Sequence, residues 1–184
     1  MDFRIPIIEY FIVLKRNEFI YEWCFPLALT TSLYFLCNDY INTEFVKFFI
    51  STTISLIAIL LGFTIAAIAI FTTANQDRTP VLKVESERKI LGKSITYFTL
   101  IYMNFVFSII SGTAILMMTI LNLFLLSSVN INNPYMVKIV FIIFFLIVFG
   151  ILQNILLSLR NITSLYLIFR VEVRKKVSEP SDIQ

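Results

Sequence analysis

Four long stretches of this chain carry no charge, and the polar residues gather in short clusters between them. About 20 consecutive apolar residues suffice to cross a bilayer as a helix. The pattern therefore predicts an all-α, four-transmembrane-helix bundle, with spans at about residues 20–40, 48–74, 95–126 and 139–159. The first span is the shortest, because only sixteen uncharged residues separate Glu22 from Asp39. Glu22 is accordingly placed at the headgroups beside Tyr21 and Trp23, which suit an interface, with Pro26 in the helix's first turn. Spans two and three exceed the bilayer's need and should tilt or project. Phe141, Phe144, Phe145 and Phe149 give span four a lipid-facing look.

The segments between the spans are less regular. Residues 1–19 mix Ile7, Ile8, Phe11 and Ile12 with Glu9, Lys15 and Arg16, which reads as an N-terminal interfacial segment. Two arrangements are open for it: an in-plane anchor, or an arm folded into an oligomer's vestibule. Between spans two and three, Thr79-Pro80 offers a helix start and Gly92 a stop, predicting a short amphipathic helix within Asp77–Lys93. Asn130, Asn132, Asn133 and Pro134 mark a turn before span four. The fourth helix is expected to extend to residue 176. Residues 177–184, with Ser178-Glu179-Pro180-Ser181, read as disordered. One four-span domain over residues 20–176 follows.

Charge gives the bundle a direction. Of the fifteen lysines and arginines, three precede span one (Arg4, Lys15, Arg16) and one (Lys47) follows it. Five (Arg78, Lys83, Arg88, Lys89, Lys93) follow span two, one (Lys138) follows span three, and five (Arg160, Arg170, Arg174, Lys175, Lys176) follow span four. Basic residues are enriched on the cytoplasmic side, so this alternation predicts both termini inside. The two five-residue clusters are candidate contacts for anionic lipid or a cytoplasmic protein, and the net charge of +3 needs no nucleic acid to explain it. Hydrophobic residues make up 58% of the chain and charged ones 15%, against about 25% in soluble domains. Lipid is the expected main solvent.

Candidate chemistry is sparse. There is no histidine, which removes the common triads and histidine metal sites. Cys24 and Cys37 would stand about 20 Å apart on one helix, too far for a disulfide, and read as small buried apolar residues. No acidic or basic residue is expected deep in a span, which argues against proton-coupled transport. An enzyme, a metal and a cofactor are all unexpected.

Span two carries a stripe of small residues. Ser51, Ser55, Ala58, Gly62, Ala66, Ala69 and Thr73 recur every three or four positions and so share one helix face. Such faces let helix backbones approach closely in lipid. The stripe could pack within the chain, pack between subunits, or line a narrow pore. Asn104, Ser108, Ser111 and Gly112 share a side of span three, and Gln153, Asn154, Ser158 and Asn161 crowd one half of span four. Buried amides need partners, so these residues either hold the bundle together, with Asn104 and Asn154 able to meet, or edge a hydrated vestibule.

The outline, and the glycine- and alanine-rich run Leu60-Leu61-Gly62-Phe63-Thr64-Ile65-Ala66-Ala67-Ile68-Ala69-Ile70-Phe71, resembles small four-span proteins of bacterial antiphage systems. These are the membrane subunit of Kiwa and the membrane effector of Hailong. The resemblance implies a homo-oligomer, with a tetramer favoured, in the bacterial inner membrane, together with a cytoplasmic partner. Two functions are then expected to compete. One is a membrane-permeabilising or ion-conducting oligomer that acts when triggered. The other is a non-conducting platform that recruits a partner to the membrane.

Overall fold

The apolar runs form long helices in the computed structural model, which describes residues 4–37, 43–73, 80–90, 92–128 and 134–178. The elements are α1 (Arg4–Val13), α2 (Arg16–Phe19), a π-helical turn (Ile20–Cys24), α3 (Phe25–Cys37), α4 (Thr43–Thr73), a 3-10 turn (Pro80–Lys83), β1 (Glu85–Ile90), β2 (Lys93–Thr96), α5 (Tyr97–Ser128) and α6 (Pro134–Ser178). Four segments are long and apolar enough to cross a membrane: Arg16–Leu36, Glu44–Thr73, Tyr97–Ser127 and Tyr135–Leu167. Their mean hydropathies are 1.2, 2.7, 2.2 and 2.8, so the first is the least apolar. Large apolar side chains, among them Phe35, Ile59, Ile70, Met117, Phe124 and Ile142, are exposed on the outside of the bundle. Exposed apolar surface on this scale suits lipid and not water. This is a membrane protein.

α5 is the central helix, packed against α4, α6, α1 and the hairpin, while α3 docks on α6. On α4 the inward face is Val46, Ile50, Thr53, Ile57, Thr64 and Phe71, all buried, at spacings of four and three or their sum. That is the spacing of a helix-packing seam. At the end of the bundle far from the hairpin, Val46, Ile50, Leu126, Val140, Phe144 and Phe145 pack together. In the middle, Ile57, Ile115, Ile147 and Ile151 form a second cluster. Phe144 and Phe145 therefore face the interior and not lipid, because α6 turns them toward the α4 side and Tyr34 of α3 respectively.

The structure departs from the sequence pattern at several places. Pro26 lies inside a continuous helical path and is buried. It has no N–H to donate one turn back, and its ring crowds the preceding turn. The wider π turn Ile20–Cys24 directly before it accommodates both defects. Cys24 is a free thiol on the exposed surface, since the π turn swings it outward. The side chain of Cys37 lies outside the described residues. Among its described residues, the segment between α4 and α5 holds a 3-10 turn and an antiparallel β-hairpin in place of the expected amphipathic helix. Ser86, Arg88 and Ile90 turn inward while Glu85, Glu87 and Lys89 stay exposed, a period of two that suits a strand. Gly92, at φ +81°, occupies the hairpin turn, a conformation that glycine adopts without strain. The preceding Thr79 and Arg78, and the Asn130–Asn133 cluster, lie outside the described residues. Pro134 opens α6, which runs unbroken for 45 residues to Ser178. The helical path thus includes Val177 and Ser178, which the sequence placed in a disordered tail.

The N-terminal segment is built into the bundle. Tyr10 is 1% exposed and stacks on Phe107 of α5, with ring centroids 3.7 Å apart. Val13 is buried against Leu100 and Met103 of α5, with Ile90 and Ile95 of the hairpin around them. α1 is therefore fixed to both α5 and the hairpin at one end of the membrane-spanning bundle.

Candidate functional site

At the hairpin end, six polar side chains from separate elements converge. The π turn points Glu22 inward, where it is fully buried. Arg160 of α6 reaches it: Nη1 lies 2.6 Å from Oε1, an ion pair by distance although not aligned as a hydrogen bond. The Tyr10 hydroxyl donates to the other Glu22 carboxylate oxygen, Oε2. Burial raises the pKa of the Tyr10 phenol well above its usual range, so it remains a proton donor at neutral pH. The Arg160 guanidinium carbon sits 5.5 Å from the Tyr10 ring centroid, and Nη2 donates to Asn104 Oδ1 of α5 at 2.8 Å.

A second pair joins this one. Arg88 of β1 forms an ion pair with Glu18 and donates through Nη1 to the Val13 carbonyl at 2.9 Å. Arg160 also lies 3.7 Å from Glu18, so the two pairs form one cluster. Glu18 and Glu22 belong to the first candidate span and Arg160 to the fourth. All three lie toward the hairpin end of those segments, and the buried ion pair they make there was not expected from the sequence. The charges are tolerated because two carboxylates meet two guanidiniums inside protein. The peripheral pair Lys15–Glu87, at 3.4 Å and well exposed, adds little.

From Arg160 a polar seam continues between α5 and α6. Ser111 Oγ donates to Gln153 Oε1 at 3.0 Å, and Asn154 Nδ2 to the Ser108 carbonyl at 3.4 Å. With Arg160–Asn104, these contacts leave α5 about one helical turn apart, at residues 104, 108 and 111, and reach residues 160, 154 and 153 of α6. Asn104 and Asn154 each find another partner and make no hydrogen bond with each other. Asn104, Ser108, Gln153, Asn154, Ser158 and Asn161 are all buried. At the inner end of the seam, Gly112 lets α4 approach: a Cβ there would stand 2.7 Å from Leu61 Cδ2 and 3.4 Å from Asn154 Nδ2.

The small-residue stripe faces the other way. Ser51, Ser55, Ala58, Gly62, Ala66, Ala69 and Thr73 are all exposed, and nothing lies within 4 Å of a Cβ placed on Gly62. Among the described residues nothing packs on this face, and the opposite face of α4 makes the contacts within the chain. The hydroxyls of Ser51 and Thr73 bond to carbonyls of their own helix, leaving a smooth surface.

The basic clusters divide as well. Arg88 and Arg160 are engaged in internal ion pairs. Lys83, Lys89, Lys93 and Arg170 are exposed. Arg78 lies outside the described residues; Arg174, Lys175 and Lys176 are helical, with their side chains outside the description. No family model, curated protein or solved structure matches the chain.

The ion-pair cluster was missed by sequence reasoning. Its only local signal is Arg160 itself, a lone cation among Leu159, Asn161, Ile162 and a polar-dotted apolar run. An ionisable residue inside a span is a functional candidate by default.

Proposed function

We propose that this protein is a homo-oligomeric component of a bacterial antiviral system in the inner membrane, permeabilising that membrane when triggered from the cytoplasm. The observation that carries the reading is the outward stripe on α4. A run of small residues with open space above Gly62 is a surface on which a second α4 can seat closely. The basic clusters support an orientation with both termini in the cytoplasm. The resemblance to the Kiwa and Hailong membrane proteins supports the defence role. The test is reconstitution. Wild-type protein should elute as an oligomer in mild detergent and release a small dye from liposomes on triggering. Gly62→Leu should reduce the protein to monomers and lower release at least tenfold while leaving the protomer folded. Unchanged elution with unchanged release would remove α4 as the contact surface.

A second reading, a non-conducting platform for a cytoplasmic partner, is favoured by one observation. Lys89 and Lys93 stand exposed on a hairpin whose neighbour Arg88 is locked. The double variant Lys89→Glu/Lys93→Glu should then abolish co-purification of the partner with helicity unchanged. Under the permeabilising reading the variant keeps its liposome release. Arg88 is unsuited to this test, because its reversal breaks the ion pair to Glu18.

A further inference from the structure

The α5–α6 seam contains more polar atoms than its rungs satisfy. Ser108 Oγ, Gln153 Nε2, Ser158 Oγ and both side-chain polar atoms of Asn161 are buried and have no partner among the described residues. Ser108 is 1%, Asn161 2% and Gln153 3% exposed. Each such atom left bare costs about 1–3 kcal/mol. Buried waters with several polar partners are the usual remedy, and they need a polar site. The seam is one: hydroxyls and amides recur on both helices from Asn104 to Ser111, over about 10 Å. Charge is confined to its mouth, where Arg160 and Glu22 are paired. A surface cleft of about 340 Å³ reaches that mouth, edged by Asn17, Tyr21, Glu22, Arg160 and Thr163. The seam's other end meets the apolar cluster of Ile57, Ile115, Ile147 and Ile151. Past it polar atoms resume: Thr119 and Asn122 are fully buried, and Asn122 Oδ1 again has no partner among the described residues.

We propose that the α5–α6 seam holds a file of water within each protomer, entered from the cleft at Arg160 and stopped by the isoleucine cluster. The file is half of a path for water and the protons it carries, and the isoleucines are a dewetted constriction. This deepens the permeabilising reading and rests on it for the path's purpose. It moves that path from the α4 contact surface into the protomer.

Thiol reactivity tests the proposal, because the thiolate that reacts exists only where water reaches. In a background with Cys24→Ala and Cys37→Ala, single Ser108→Cys, Ser158→Cys and Thr119→Cys variants are exposed to a small charged methanethiosulfonate. The first two should react at least tenfold faster than Thr119→Cys, and adding Ile147→Ser should bring Thr119→Cys to within a fewfold of them. Equal, slow reaction at all three sites in protein of wild-type elution and helicity overturns the file. So does a Thr119→Cys rate that Ile147→Ser leaves unmoved. The unmodified chain gives a second readout. Water-to-amide magnetisation transfer in NMR should reach the side chains of Gln153 and Asn161, and its absence there equally overturns the proposal. Combining the cysteines with Gly62→Leu separates the two readings. A labelling pattern that persists in monomers belongs to the protomer. One that vanishes on disassembly overturns the file and leaves assembly through α4 intact. Unchanged elution of Gly62→Leu with the pattern preserved removes the assembly reading alone.

Discussion

Arg160→Ala should be among the most destabilising single substitutions in the chain, costing about 3–5 kcal/mol, the usual penalty for stripping one partner from a buried ion pair. The reason is specific to Glu22. It is fully buried, and Arg160 is the cation in contact with it. The Tyr10 hydroxyl donates to Glu22 but carries no compensating charge. Removing Arg160 also strands Asn104 Oδ1 and the cation–π contact to Tyr10. Stability can be followed as the thermal midpoint of helicity in detergent. The double variant Glu22→Leu/Arg160→Met should recover most of the loss, because replacing a buried pair with apolar groups of similar volume is often neutral or better. If Arg160→Ala alone shifts the midpoint negligibly, the pair is not buried in the folded protein. If the double variant is as poor as the single one, shape and not charge holds the site.

Gly150→Ala should destabilise the protomer, and the three intramembrane glycines should rank in a fixed order. A Cβ at Gly150 would lie 2.8 Å from Ile115 Cγ1 and 3.0 Å from its Cδ1. Ile115 is β-branched, buried and packed in the isoleucine cluster, so it yields poorly. Overpacking of this kind costs about 1–3 kcal/mol, which exceeds the roughly 1 kcal/mol that alanine gains over glycine in a helix. At Gly112 the clash is with the far end of Leu61, a flexible side chain, so Gly112→Ala should come close to neutral. At Gly62 nothing is met, and Gly62→Ala should be neutral or stabilising for the protomer. Thermal midpoints of the three alanine variants in one detergent give the ranking. A Gly62→Ala protein less stable than Gly150→Ala would contradict it.

The membrane architecture was readable because three uncharged runs of sufficient length, and a shorter fourth near the N-terminus, leave little choice in lipid. The phase of α4 was readable too, since the small residues recur at the helical period. What could not be read was which side of α4 met the bundle. Small faces pack well both within and between chains, and only the position of Ile50, Ile57 and Phe71 against α5 and α6 decides it. The hairpin was lost because Gly92 ends a helix and turns a hairpin equally well. The alternation of Ser86, Arg88 and Ile90 with Glu85, Glu87 and Lys89 was the better signal. The Glu22–Arg160 pair was hidden by its separation along the chain: each residue seen alone looks like a boundary charge. Their union depends on the π turn, which rotates Glu22 inward just ahead of Pro26.

The length of α6 has a mechanical consequence. Its 45 residues measure about 68 Å, more than twice the hydrocarbon thickness. About 27 Å of that helix lies beyond Arg160. A straight helix of this length, held at the Arg160–Glu22 contact, would act as a lever about that point. A tilt of about 10° at that point carries the far end sideways by about 5 Å. Conversely, a modest push on the distant tail concentrates its torque on the guanidinium at the mouth of the seam.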